Sequence, residues 1–294
     1  MITLIYPHGT LSPGSGSGGA GPSGETKADR LRRARAAASG IRQTDRAAWE
    51  AAATAVAQAL GGRVSVVGRC RKVRWAVGRD HVNEQLWLAA PDTSGATGDE
   101  RPLRYRQAVG SFSNPNGGVN TRVLQWLRGR CEAIAIRTEG AVGANRMGRL
   151  LELYNGCGNH TVALAGLFDT VLAVEADPAL TQAAATNYEL NHVDNVAQIT
   201  QTCEEFASPQ AADAPVAFDV ALVDPPRTGI CDEALAVITA AQDILFLSCN
   251  QHRLAESLVS LAATHTVATV AYMDHFPYSM QSECGVHLIR RAGV

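Results

Sequence analysis

No apolar run in the 294 residues approaches the ~20 needed to cross a bilayer. The opening run, Met1-Ile2-Thr3-Leu4-Ile5-Tyr6, has neither the basic segment nor the long apolar segment of a secretory signal. There is no Cys-x-x-Cys pair, and the seven cysteines (70, 131, 157, 203, 231, 249 and 284) are odd in number. A disulfide framework, a zinc ribbon and an iron–sulfur cluster are therefore not expected, nor is any other metal site. A reducing compartment, the cytoplasm, suits such thiols. Positive charge is scarce in the second half. Residues 149–294 hold 5 Lys and Arg against 17 Asp and Glu, whereas residues 1–148 hold 21 against 11. A basic half joined to an acidic one is expected when one part meets a polyanion and the other does something else.

What is present, 46% hydrophobic residues, is enough for a globular core in one large or two modest domains. Residues 1–7 read as a strand. Residues 8–44 read as a flexible Gly/Ser-rich tract (Gly14-Ser15-Gly16-Ser17-Gly18-Gly19) passing into an Arg-rich, acid-poor stretch at 27–46. From about Asp45 to Leu60, Trp49, Ala52, Ala53, Val56 and Leu60 recur at helical spacing. Two strand-like runs, Val64–Val67 and Val73–Val77, flank a basic turn, Gly68-Arg69-Cys70-Arg71-Lys72. A polar loop is expected from Pro91 to Pro102 and a helix from Val119 to Arg130.

From Leu150 the texture changes to strands alternating with helices, which predicts a mostly parallel sheet covered by helices on both faces. No helical pattern separates the last two strands, near 266–272 and 285–290, so they are expected to pair antiparallel. Domain boundaries follow: 45–130 as a region of α+β character, and 131–294 as the α/β domain. Ligands of such sheets bind beyond the C-terminal ends of the strands.

Three segments fall there. In Glu152-Leu153-Tyr154-Asn155-Gly156-Cys157-Gly158-Asn159-His160, Gly156 and Gly158 let the backbone turn tightly before a helix with free N–H groups. Seventeen residues after Gly158, at the end of the next strand, Glu175 can accept ribose hydroxyls. Thr161 stands where a dinucleotide site would carry its third glycine, so an adenosine linked to an amino acid fits better than NAD. In Asp224-Pro225-Pro226-Arg227 two prolines hold a rigid loop. Ser248-Cys249-Asn250 brings a cysteine off the end of a strand, unlike one buried mid-strand. Phe276-Pro277-Tyr278 and Ser282-Glu283-Cys284-Gly285-Val286 complete the set, with Cys284 read as a packing residue.

Together with Arg79-Asp80-His81-Val82-Asn83-Glu84-Gln85-Leu86 and the segment from Tyr105 to Leu127, these motifs resemble the RNA m5U methyltransferases. Within them they look most like the tRNA (uracil-5-)-methyltransferases that make T-loop ribothymidine. The resemblance covers about residues 45–294 and implies a class I S-adenosylmethionine (SAM)-dependent fold, with a partial RNA-binding region before it. It implies Cys249 as the nucleophile that adds to C6 of uracil and Glu283 as the base that later removes the C5 proton. Asn114, Tyr154, Gly156, Gly158, Asn159, Glu175 and Asp224 would surround SAM. Arg69, Arg71, Lys72, Arg74 and Arg227 would hold the tRNA, and the protein is expected to act as a monomer.

This sequence departs from the family pattern in places. Asn114 stands where the family carries Gln, one methylene longer. His160 stands where an aromatic residue packs. Part of the family's N-terminal RNA-binding region has no counterpart. An rRNA m5U enzyme, and a non-catalytic protein that binds and remodels tRNA, are the alternatives.

Overall fold

The structure, a computed structural model, describes residues 2–5, 43–70, 73–88, 102–139, 146–208, 217–279 and 281–293. Most of the Gly/Ser/Arg tract, Arg71, Lys72 and nearly all of the polar loop at 91–102 lie outside them. Two compact units divide the chain, Met1–Val82 and Asn83–Val294.

In the first unit, β1 (Ile2–Ile5) runs parallel to β2 (Val66–Cys70), which pairs antiparallel with β3 (Val73–Val77). Gly68, Arg69 and Cys70, expected in a basic turn, instead belong to β2, opposite Trp75, Arg74 and Val73. Helix α1 (Gln43–Ala59) buries Ala53 and Ala57 beside Trp49, one residue per turn on a narrow stripe. Val56 and Leu60, expected on that face, are exposed. The helix comes close because Gly68 has no side chain: a Cβ there would lie 2.6 Å from the Trp49 ring.

The second unit opens with a two-stranded sheet of β4 (His81–Leu86) and β5 (Leu103–Ala108), followed by α2 (Gly117–Glu139). Helix α2 extends well past Arg130, so the boundary expected between 130 and 131 falls inside a continuous helix. Then β6 (Met147–Leu153), α3 (Asn159–Leu164), β7 (Phe168–Glu175), α4 (Pro178–Asn191), β8 (Val196–Thr200) and α5 (Cys203–Phe206) follow. The chain continues through β9 (Val220–Val223), α6 (Asp232–Ile238), β10 (Asp243–Ser248), α7 (Gln251–Leu261), β11 (His265–Met273) and β12 (Glu283–Arg290). These form one seven-stranded sheet in the order β11-β12-β10-β9-β6-β7-β8. Strands β6 to β10 are parallel; β12 runs antiparallel to both β10 and β11.

The sheet is the α/β architecture expected. Every residue of β9 and β10 is buried, as strands covered on both faces must be. Period-two alternation then sorts side chains between two cores. Leu150, Leu222, Leu245 and Leu247 join Val123, Leu127 and Cys131 of α2. Leu151, Leu153, Val223, Ile244 and Phe246 join Ala234, Ile238 and Leu254 of α6 and α7. Among the described residues, no helix is long and apolar enough to cross a membrane.

One ionic cluster ties α2 to the sheet at the end away from Cys249. Asp243, 1% exposed, accepts from Arg137 through both oxygens (2.6 and 2.5 Å) and lies 2.8 Å from His287 Nε2. Removing one partner from such a buried group strands the others. Asp243→Ala is expected to lower the unfolding free energy by about 3 kcal/mol, read from a urea titration. An unchanged midpoint would show that the cluster contributes nothing.

Candidate active site

The loop between β6 and α3 needs unusual backbone. Tyr154 (φ 61°), Gly156 (φ 59°) and Gly158 (φ 76°) are all left-handed, a region costly for most side chains. Gly158 is required twice over, since a Cβ there would sit 2.7 Å from the Tyr188 ring. The loop is closed by Glu175 at the end of β7. Its Oε2 accepts from Gly156 N and its Oε1 from Asp177 N, both at 2.8 Å. Each carboxylate oxygen keeps a second lone pair for a ligand. Tyr154 remains a neutral phenol, its ionisation pushed far up by burial and then by neighbouring Cys203 and Cys231.

Asn159 is buried and paired with Asn120 of α2 by two reciprocal bonds of 2.9 Å. Its carbonyl accepts from Tyr105 Oη at 2.9 Å. Asn114 Nδ2 joins the same group through Asn120 Oδ1 at 3.2 Å. The shorter Asn114 is thus seated on Asn120, a residue that sequence reasoning missed; a lone Asn in a helix carries no spacing signal.

Beneath this loop lies a buried acid. Glu152 of β6 is 1% exposed. One oxygen accepts from Thr161 Oγ1 at 2.5 Å, while Oε1 has no hydrogen bond and stands 3.7 Å from His160 Nδ1. His160 Nε2 is also unpartnered. Burial alone would depress this imidazole, but Glu152 and then Asp224 outweigh it and raise its pKa. Sequence reasoning missed Glu152, although a lone acid in Leu150-Leu151-Glu152-Leu153, which must find a partner, was a signal that could have found it.

Strand β9 lies next to β6 and ends at Val223, just before Asp224. Burial, then the charge of Glu283, push the Asp224 carboxyl up to about 7, against the opposing pull of His160 and His275. The following prolines lead to Arg227, whose carbonyl accepts from Asn250 Nδ2 at 2.9 Å. Asn250 also caps α7, its side chain accepting from His252 N and Arg253 N. One asparagine therefore ties the Asp-Pro-Pro-Arg loop to the Ser-Cys-Asn turn.

Cys249, just past β10, is the one exposed thiol among the described cysteines. Its pKa is raised by burial of the sulfur, then by Asp224 and Glu283, with Arg227 opposing. Ser248 pairs with Cys284 across the β10–β12 ladder, which puts Cys249 beside Glu283. Glu283 is 12% exposed at its side chain, and His275 Nε2 stands 2.9 Å from its Oε2. The Arg227 guanidinium donates to Gln281.

The structure therefore brings Asn114, Tyr154, Gly156, Gly158, Asn159, Glu175, Asp224, Arg227, Cys249 and Glu283 into the second unit, on the loops at one edge of the sheet. Arg69 and Arg74 face one another across the ladder of the first unit, and Arg74 is tied to Asp80. Arg71 and Lys72 lie outside the described residues.

A family profile described as tRNA (Uracil-5-)-methyltransferase matches residues 41–291. The chain belongs to this family. A tRNA/tmRNA (uracil-C(5))-methyltransferase of Aromatoleum aromaticum is 39% identical over 256 residues, 83% of this chain and 63% of the relative. The protein of that name from Sodalis glossinidius is 36% identical over 259 residues, 83% and 64% of the two chains. This chain thus spans just under two thirds of the length of those relatives. The crystal structure of Pyrococcus abyssi tRNA (uracil-54, C5)-methyltransferase with S-adenosyl-L-homocysteine superposes with a TM-score of 0.56. At 19% identity, over 76% of this chain and 50% of the other, that match shows the shared class I methyltransferase fold.

The Asp224 site sets a pH dependence. Its folded pKa, about 7, exceeds the ordinary 3.8, so the folded state holds the proton more tightly than the unfolded chain. Stability from this site is fully present below the unfolded value and is lost as pH rises through the folded one. Asp224→Asn is therefore expected to gain stability relative to the parent between pH 4 and pH 8, in paired urea titrations. A difference that does not change with pH would refute the assignment.

Proposed function

We propose that this protein transfers the methyl group of SAM to C5 of a uridine in tRNA, at the T-loop position 54 named for the archaeal relative, through a covalent Cys249–C6 adduct. The observation that carries this reading is the pairing of an exposed cysteine and a shielded carboxylate on neighbouring strands: Cys249 leaves β10 beside Glu283 of β12. A reducing cytoplasm would keep that cysteine a thiol.

The cofactor crevice fits SAM in its donor set. Glu175 offers lone pairs suited to ribose hydroxyls, the left-handed Gly156 and Gly158 leave backbone room, and the Tyr154 phenol flanks them. When bound, SAM supplies an electrophilic methyl on a sulfonium. C5 of uracil is too weak a nucleophile to take it unaided. Cys249 Sγ, as thiolate, adds to C6 and turns the ring into an enolate whose C5 is reactive. The thiol proton leaves to solvent, to which Cys249 is exposed. After transfer, Glu283 takes the C5 proton; the C–H electron pair becomes the C5=C6 bond, and the C6–S pair leaves with Cys249. The uridine must first leave its stack. Arg227 at the site, with Arg69, Arg71, Lys72 and Arg74, would hold phosphates.

Tritiated methyl transfer from SAM to an unmodified tRNA transcript tests this. The parent protein should yield 5-methyluridine, and Cys249→Ala neither product nor adduct. Glu283→Gln should cut turnover about 100-fold or more while adduct accumulates on a denaturing gel. Turnover surviving in Cys249→Ala would overturn the mechanism. RNA bound without methyl transfer would favour the tRNA-binding alternative, and transfer to rRNA alone the rRNA enzyme. RNA affinity should fall with salt, by a log–log slope of about −0.7 per phosphate contact on single strands. A flat salt response would remove the basic residues from the interface.

A further inference from the structure

His275 is a buried histidine for which the reaction above has no use. It stands 5% exposed in the loop between β11 and β12, and neither ring nitrogen has a hydrogen-bond partner among the described residues. A buried imidazole with neither nitrogen bonded to protein calls for a reason. Its neighbours supply one. Nε2 lies 2.9 Å from Glu283 Oε2, close enough to hydrogen-bond but out of line. Catalytic hydrogen bonds often align only once substrate is bound. Asn116 Nδ2 reaches the His275 carbonyl at 3.5 Å, anchoring the loop to the start of α2, and the Phe276 ring lies 6.4 Å away. The ionisable groups facing it are Glu283 on β12 and Asp224 after β9; Asp224 in turn faces His160 on α3. Asp224 senses both histidines, and His160 senses Asp224 and Glu283.

We infer that His275 is a positioning residue for Glu283: its Nε2–H holds Oε2, leaving Oε1 to take the proton from C5 of the methylated base. The inference rests on the methyl-transfer reading above. At 2.9 Å the Nε2–H needs only to come into line with Oε2 to make that bond. The histidine touches neither base nor cofactor. It acts on the last step alone, in which Glu283 is protonated and the thiolate of Cys249 departs.

A structural and a positioning role predict opposite changes in one observable. If His275 merely fills space, damaging it lowers adduct and turnover together. If it orients Glu283, adduct formation survives and its resolution slows. The assay uses the full chain, SAM and unmodified tRNA transcript, with kcat, KM for RNA and the adduct fraction measured for parent, Cys249→Ala, His275→Phe and His275→Gln. His275→Phe is expected to lose about tenfold in kcat with KM unchanged and adduct increased. His275→Gln, which retains an N–H donor, should recover most of the turnover. Should His275→Phe fail to fold, His275→Met removes the donor at similar volume and is read in its place. Parent-like turnover in the donorless variant, or adduct and turnover falling in step, overturns the inference while the methyl-transfer reading stands. A parent protein that forms neither 5-methyluridine nor adduct overturns both.

Discussion

Strands β6 and β9 are parallel neighbours from which the sheet grows in opposite directions, toward β7 and β8 on one side and β10 on the other. Their chains therefore leave the sheet in opposite senses and cannot close over the gap between them. Everything assigned to the site in the second unit depends on that gap. The loop after β6 fills it with backbone in a left-handed conformation, and the loop after β9 borders it with two prolines. Strands β9 and β10 are buried on both faces among apolar residues, so the edge they present is held by packing. That leaves the loops free to carry chemistry.

The second constraint is electrostatic. Glu152, Asp224 and Glu283 approach one another in a half of the chain with 5 Lys and Arg against 17 acids. Burial, then the charge of neighbouring carboxylates, raises the pKa of Asp224 and of Cys249. The counterweights are mostly not arginines. They are a threonine hydroxyl on Glu152, the two histidines at 160 and 275, and Arg227 at the exposed rim. An imidazole N–H can face a carboxylate oxygen without the permanent charge of an arginine beside it. The proposed reaction, which first forms a thiolate and later moves a carbon-bound proton, would need that latitude.

Legibility in the sequence followed periodicity. The strands β6, β7, β9 and β10 alternate or run wholly apolar, and the Gly loop, the Asp-Pro-Pro-Arg loop and the Ser-Cys-Asn turn sit at their ends, so these could be placed from local pattern. Strands β4 (His-Val-Asn-Glu-Gln-Leu) and β5 (Leu-Arg-Tyr-Arg-Gln-Ala) are too polar to announce themselves. On α1 the spacing allowed two faces, and close approach of Trp49 to Gly68 selected the narrower one. Helix α5 has only four residues, yet Thr202 and Glu205 form a capping box that marks its start. His275 lay beyond any such reading. Its relation to Glu283 comes from the return of β12 against β11, where Met273 pairs with Glu283; nothing within His275-Phe276-Pro277 encodes it.

If the proposed function holds, the charge division also limits how RNA is held. A polyanion gains little from a catalytic half whose acids outnumber its bases, and each carboxylate around Cys249 repels a phosphate drawn close. Attraction must then come chiefly from residues 1–148, where 21 Lys and Arg face 11 acids. Within the second unit, Arg227 is the basic residue placed directly at the site, and its guanidinium is engaged by Gln281. A phosphate reaching it replaces a neutral amide with a charged acceptor, a stronger partner for the same fork. The target nucleotide is thus expected to meet a weakly attractive rim and a repulsive interior relieved by histidines. In such a site the uracil ring, which is uncharged, can enter more easily than the backbone that carries it, and a flipped base gains access where a phosphate does not.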